Sequence, residues 1–282
     1  MSTPPRPAVP SLSADAARAA AVAPPEEGAP EATPPDRLAQ QQKSTASGAN
    51  RHPHVLGPLS RLPALTALGR PPRILSFGCS VGHECMDLVE AFPGAEVFGC
   101  DVDPAALAEA RTRCAGKATI FESSRSGLAE HGPFDLVTAF NVFCRYHQTA
   151  GHDDISPIYP IASMNEGLLA IDAHLRPGAV IALYNTPYFF EHTVLADRYE
   201  PSGCPDFPVN GWMEKCEGSG KRVSTVHFVA YGTRYNRDEY AKAMREQRLT
   251  LLDAPNISVE HDRLPDAEHF GSLYEIAWIK RR

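Results

Sequence analysis

Ser76-Phe77-Gly78-Cys79-Ser80-Val81-Gly82-His83-Glu84 is the stretch on which the fold turns. Ahead of it Arg73, Ile74, Leu75, Ser76 and Phe77 form a short apolar run that predicts a strand. Behind it residues 84–92 place apolar side chains at helical spacing. Glycine at the end of a strand lets the backbone turn tightly and approach a ligand with no Cβ in the way. The amides that open the following helix favour an anionic group. Residues 95–100 then predict a second apolar strand, Val97-Phe98-Gly99-Cys100 running into Asp101. Gly78 and Asp101 lie 23 positions apart. That is close to the ~20 that set a carboxylate on a ribose diol one strand over.

The rhythm continues downstream. Residues 104–114 predict a helix, 118–121 and 134–140 two strands, and 161–175 a helix with Ile161, Met164, Leu168, Leu169, Ile171 and Leu175 as its apolar positions. Pro177-Gly178 is expected to break the chain before a strand at 179–185. Strands separated by helices need crossover connections, hence an α/β fold with a mostly parallel sheet covered on both faces. In such sheets ligands bind at the carboxyl ends of the strands. Toward the C-terminus residues 189–199 look helical and 201–220 form a long Gly/Pro/Asn-rich loop of the sort used as a lid. A strand at 223–231, a helix at 237–248 and a closing strand at 273–280 complete the pattern.

The dinucleotide fingerprint G-x-G-x-x-G is not met, because Ser80 and His83 stand where glycines are required. Gly78-Cys79-Ser80-Val81-Gly82 instead resembles motif I of the class I S-adenosylmethionine-dependent methyltransferases, and locally that of the chemotaxis-receptor methyltransferases. Phe134-Asp135-Leu136-Val137 resembles the start of that superfamily's fourth strand, and Leu175-Arg176-Pro177-Gly178 the turn before its fifth. The resemblance covers about residues 55–282. It implies a Rossmann-like, seven-stranded sheet, S-adenosylmethionine as cofactor, and a methyltransferase domain over 73–282. Phe77, Gly78, Cys79, Ser80 and Gly82 would surround the methionine end, Asp101 the ribose and Val102 the adenine. Asn141, ending the fourth strand, would lie by the sulfonium. Where the family often has an Asp touching adenine, Ser123-Ser124 follow Glu122, so that contact would fall to Ser123 or Ser124.

The acceptor side is less marked. Tyr146 and His147, followed by His152, Asp153 and Asp154, sit just past the fourth strand. Tyr146 and His147 are the candidates for handling an acceptor proton, and solvated loop residues are the plain alternative. No ligand spacing supports a metal there. Asn185-Thr186-Pro187-Tyr188 looks like the Asn-Pro-Pro-Tyr signature of amino-methylating enzymes, but it ends the fifth strand rather than the fourth and reads as a turn. Lys280-Arg281-Arg282 reads as a solvated strand end. Methyl transfer to an oxygen or nitrogen of a small molecule is favoured. A protein acceptor and a nucleotide-binding module without methyl transfer remain as alternatives.

Composition narrows these classes. The 282 residues carry 27 Lys and Arg against 34 Asp and Glu, a formal charge of -7. An acidic chain with no basic stripe argues against nucleic acid as partner, and no apolar run is long enough for a membrane helix. Seven cysteines without a C-x-x-C pair suit a reducing, cytoplasmic setting, with Cys204 and Cys216 free to pair in a loop. Residues 1–50 hold no aromatic ring and are rich in Ala, Pro, Ser and Gln, so a disordered tail is expected that can be removed without loss of fold or cofactor binding. Its composition also resembles the leaders of bacterial type III secreted effectors, the alternative being export. Residues 51–72, with leucines at every third position from Leu56 to Leu68 and prolines at 58 and 63, are expected to form a broken helical segment packed on the domain or acting as a lid.

Overall fold

A computed structural model describes residues 36–43, 47–249 and 256–282 of the chain. Residues 1–35 of the expected tail lie outside the described residues. The main sheet is built from β1 (Arg73–Phe77), β2 (Glu96–Asp101), β3 (Ala118–Glu122), β4 (Phe134–Phe140), β5 (Leu175–Tyr184), β6 (Tyr199–Pro201) and β10 (Ala277–Lys280). Its order is β3-β2-β1-β4-β5-β10-β6. Neighbours from β3 to β5 pair in parallel, whereas β10 runs antiparallel to both β5 and β6. This is the seven-stranded, mostly parallel α/β sheet that the motif implies.

Alternation along the central strands sends side chains to two cores, as the two-residue period of a strand requires. Ile74, Leu136, Val180 and Ala182 point to one face. There they meet α1 (Pro53–Ser60), α2 (Pro63–Thr66), α3 (His83–Ala91) and α4 (Pro104–Arg113) through Val55, Leu59, Leu65, Leu88 and Ala110. Leu75, Val137, Ile181 and Leu183 point to the other. There α5 (Arg125–His131) and α6 (Ile161–Asp172) supply Leu128, Met164, Leu168 and Ile171. The leucines of residues 51–72 are therefore core residues. Pro53 and Pro63 each open a short helix, where a missing N–H costs nothing.

Three stretches differ from expectation. Residues 189–199 form two short 3-10 turns instead of a helix and then join the sheet as β6. Pro177 and Gly178 do not precede β5 but sit inside it as a bulge. The strand expected at 223–231 does not enter the main sheet. As β7 (Ser224–Ala230) it pairs with β8 (Thr233–Tyr235) and β9 (Ile257–Arg263) in a separate antiparallel sheet of order β8-β7-β9. α7 (Arg237–Arg245) covers this sheet, with Tyr240 stacked on Phe228 at 4.2 Å between centroids. An Asn236–Glu239 capping box starts the helix. Trp212 and Met213, from the long loop, share a core with these residues and with Cys144 just past β4. The loop is thus the packed root of a small cap. Among the described residues no helix is long and apolar enough to cross a membrane.

Candidate cofactor site

A pocket of about 860 Å³, mouth included, opens at the carboxyl ends of β1, β2 and β4. Phe77, Gly78, Cys79, Ser80, Asp101, Val102, Ser123 and Asn141 all line it. Gly78 must be glycine twice over. Its φ is +74°, and a Cβ would stand 2.6 Å from Val142 Cγ2. Its amide and that of Cys79 both donate to the Cys100 carbonyl, at 2.8 and 2.9 Å, which ties the turn to β2. From the end of β2 the Asp101 carboxylate reaches back, accepting from the Ser80 amide at 2.8 Å and the Asp103 amide at 2.9 Å. Each carboxylate oxygen has two acceptor sites, so both keep capacity for a ligand.

Two of the ten motif residues stand outside the lining. Gly82, at φ +87°, is the N-cap of α3, and a Cβ there would meet Cys114 Sγ at 2.8 Å. Its constraint is the packing of α4 beneath the loop. Ser124 caps α5, its hydroxyl accepting from the Gly127 amide at 3.0 Å. Ser123, buried beside it, is the one of the pair that faces the pocket.

Tyr146 and His147 do not reach the pocket either. Tyr146 packs edge-on to Trp212 at 4.4 Å, and its hydroxyl accepts from Arg237 at 3.0 Å. Arg237 in turn forks onto Glu214 and donates to the Trp212 carbonyl. His147 lies against the Tyr146 ring at 4.4 Å. These side chains fasten the cap to the segment after β4, a tertiary role that sequence position alone does not reveal.

Other residues complete the pocket. Glu84, the last residue of the quoted stretch, lines it as a half-buried carboxyl whose Oε1 accepts from Ser76 Oγ at 2.8 Å and Thr138 Oγ1 at 2.6 Å. Burial pushes that carboxyl up to about 7, against the opposing pull of those two hydroxyls. Arg51 and His52 enter from the segment before α1. His52 is buried against Phe140 and Tyr184, with ring centroids 5.2 Å away in each case. Desolvation, with Arg51 and His54 nearby, holds it well below the usual histidine range, hence neutral.

The orientation of this ring is set from far away. The Trp212 and Met213 amides donate to Asn185 Oδ1 at 2.8 and 3.1 Å, so the amide nitrogen of Asn185 must point the other way. It donates to Asn141 Oδ1 at 2.5 Å, which leaves Asn141 Nδ2 to donate to His52 Nε2 at 3.1 Å. His52 is therefore the tautomer protonated on Nδ1. Asn141 and Asn185 both hold φ of 59°, a conformation that asparagine tolerates better than most residues.

The fourth wall comes from the segment expected to be tail. Residues 36–43 run over the carboxyl ends of β2 and β3 as a strap. The Leu38 amide donates to the Ser123 carbonyl at 3.1 Å, the Arg125 amide to the Asp36 carbonyl at 3.0 Å, and Arg37 to the Val102 carbonyl. Leu38 is buried in the core, and buried Gln41 bridges Tyr159 Oη at 2.7 Å and the Ser163 carbonyl at 3.1 Å. Ala39, Gln40, Gln41, Gln42, Ser47 and Gly48 face the pocket. A tail ending at residue 50 is therefore not what the described part shows. Polar residues without an aromatic can still order when the sheet's exposed carbonyls and amides give them partners.

Residues 75–181 match the family model described as a methyltransferase domain. Over 83 residues the chain is 37% identical to trans-aconitate 2-methyltransferase of Methylobacterium nodulans, which is 29% of this chain and 31% of that protein. The chain thus spans about a third of the length of that curated relative. Among solved structures, precorrin-6y C5,15-methyltransferase from Geobacter metallireducens is similar over 53% of this chain and 67% of its own, with 16% identity and a TM-score of 0.34. A TehB-like S-adenosylmethionine-dependent methyltransferase from Corynebacterium glutamicum is similar over 45% and 60%, with 19% identity and a TM-score of 0.31. With strand order, glycine turn and strand-end carboxylate in place on the span that the family model matches, residues 75–181 form a methyltransferase domain of the class I S-adenosylmethionine-dependent kind.

Proposed function

We propose that the chain transfers a methyl group from S-adenosylmethionine to an oxygen or nitrogen of a small-molecule acceptor. The observation that carries this is one pocket lined together by the Gly78 turn, the Asp101 carboxylate and the half-buried Glu84 carboxyl, partners suited to the methionine end, the ribose and the ammonium of an adenosyl amino acid. Asp101 accepts from the ribose hydroxyls, Val102 flanks the adenine, and Ser123 lies at its edge. Glu84 and Asp87 face the ammonium, and Arg51 supplies positive charge for the carboxylate. When bound, the cofactor supplies a methyl already made electrophilic by its sulfonium. The protein's part is then to position and to exclude water, effects worth roughly 7–11 kcal/mol in aligned reactants. Asn141 and neutral His52, held in one tautomer, border the place where an acceptor would meet that methyl. Two features support a small acceptor: the strap narrows the mouth, and the matched relative is by its name an enzyme of trans-aconitate.

The test is thermal melting with S-adenosylmethionine, S-adenosylhomocysteine and NAD, followed by transfer of labelled methyl into an extract. Both adenosyl ligands are expected to stabilise the fold, by about 2.7 kcal/mol at a hundred-fold excess over Kd. A response to NAD alone would remove the methyl-transfer assignment. Label in the protein fraction rather than the small-molecule fraction would replace the acceptor class.

Glu84 gives a pH-dependent prediction. Its folded carboxyl, at about 7, keeps a proton that an unfolded one with the ordinary 4.5 releases. That contribution to stability is full below the unfolded value and is lost as pH rises through about 7. Set beside an ammonium, Glu84 gives the proton up, so S-adenosylhomocysteine binding near pH 6 should release protons to the buffer. Calorimetric titration in two buffers of different ionisation heat reads this directly. Equal heats in both would show that Glu84 does not meet the ammonium. Glu84→Gln should abolish the release and weaken binding about ten-fold, the loss of one charged contact.

A second prediction concerns Tyr146 and His147. Because both serve the cap, Tyr146→Phe and His147→Ala should leave the transfer rate within about three-fold, far from the roughly 10²–10⁴-fold that removal of a general acid or base costs. A hundred-fold loss of rate at unchanged cofactor affinity would return them to the acceptor site.

A further inference from the structure

The opposite end of the sheet carries a second cavity, about 1280 Å³ with its mouth, that the cofactor reading does not use. It exists because β5 bulges. Leu175 pairs with Phe134 and Val180 with Leu136, so β5 advances five residues while β4 advances two. Residues 176–179 stand opposite Asp135 alone, a surplus of three that bulges out of register within β5. Gly178 makes this turn at φ +81°, with nothing within 4 Å of where its Cβ would be. Beneath the bulge lies Asp135, only 2% exposed. It fixes two arginines at the cavity wall: Arg70 by two bonds of 2.7 and 2.6 Å, and Arg176 by one of 3.2 Å. β10 ends here too, bringing Lys280 and the exposed Arg281 and Arg282 to the rim.

The wall is thus chemically two-sided. Lys280 is tied to buried Asp172 at 2.9 Å, which leaves Arg70, Arg176, Arg281 and Arg282 against Asp135 and Glu200, a positive excess in a chain whose formal charge is -7. Ala64, Ala67, Leu68, Pro177 and Ile279 form the apolar side. Guanidinium groups held in place by a buried carboxylate keep free N–H donors and suit the paired oxygens of a phosphate or carboxylate. We infer that this cavity binds an anionic small molecule, with a phosphate or carboxylate head on the arginines and an apolar body along α2 and Ile279. It is a site separate from the cofactor pocket, at the amino rather than the carboxyl ends of β1, β4 and β5. Lys280-Arg281-Arg282 is then a binding rim instead of a solvated strand end.

The test uses the full chain with inorganic pyrophosphate, dodecyl phosphate and neutral dodecyl maltoside, each titrated with and without saturating S-adenosylhomocysteine at constant ionic strength. Expected is saturable binding of both phosphates, tighter for dodecyl phosphate and unaffected by the adenosyl ligand. The exposed double variant Arg281→Glu/Arg282→Glu should weaken both about ten-fold or more, whereas Arg111→Glu on α4 should not. Absence of saturable binding overturns the proposal, as does binding lost on adding S-adenosylhomocysteine or unchanged in the double variant. Equal affinity for the two phosphates, or comparable binding of dodecyl maltoside, overturns it as well. Binding of the phosphates with no response to any adenosyl ligand would leave this site standing while the cofactor assignment fell.

Discussion

Asp101→Ala is expected to weaken S-adenosylhomocysteine binding by about a hundred-fold or more while leaving the fold nearly intact. A hydrogen bond to a charged acceptor is worth roughly 1.5–3 kcal/mol, and the ribose diol makes two. The structure adds a second loss. The same carboxylate receives the Ser80 and Asp103 amides, so alanine also loosens the glycine turn, which then keeps only its backbone bonds to the Cys100 carbonyl. Little apolar burial is lost, because Asp101 ends its strand at the pocket. Asp103 is the control. Its side chain accepts from the Ala105 amide at 2.9 Å as the N-cap of α4, so Asp103→Ala should cost about 1 kcal/mol of stability and little affinity. Calorimetric titration of both variants decides it. Wild-type affinity in Asp101→Ala would mean that the pocket does not hold a ribose.

Deleting residues 1–50 is expected to lower both cofactor affinity and melting temperature, whereas deleting 1–35 is expected to change neither. The longer deletion removes buried Leu38, an apolar side chain worth about 1.5–3 kcal/mol. It leaves Tyr159 Oη, buried, without the Gln41 acceptor seen at 2.7 Å. It also strips one wall from the pocket, and affinity should fall by at least about ten-fold, equivalent to ~1.4 kcal/mol. Melting curves and S-adenosylhomocysteine titration on the two truncations provide the comparison. Equal affinity in both would show that the strap only lies over the site. The quadruple variant that replaces Gln40, Gln41, Gln42 and Leu38 by alanine keeps the chain length and should reproduce most of the loss.

Sequence by itself determined the sheet and the cofactor edge of this protein. β1 and β4 begin and end where periodicity placed them, at Arg73–Phe77 and Phe134–Phe140. The reason is that a buried parallel strand must be apolar on both faces, and such a run is visible without its neighbours. Gly78 and Asp101 were legible for a related reason, their positions following from backbone geometry at strand ends, while Asn141 was marked by the family resemblance alone. Glu84 lay in the quoted stretch but showed its part only once Ser76 and Thr138 were seen around it. What tertiary structure decided is everything held by partners distant in sequence. Residues 36–43 look like solvated tail until the open edges of Ser123, Arg125 and Val102 supply their hydrogen bonds. Tyr146 and His147 sit at the right sequence position for an acceptor, yet Arg237 and Trp212, some 65 to 90 residues on, draw them into the cap. The tautomer of His52 is set by amides at 212 and 213. Local pattern specifies an element when the element's own period meets the core. Where a polar side chain must choose among partners, only the folded chain brings those partners within reach.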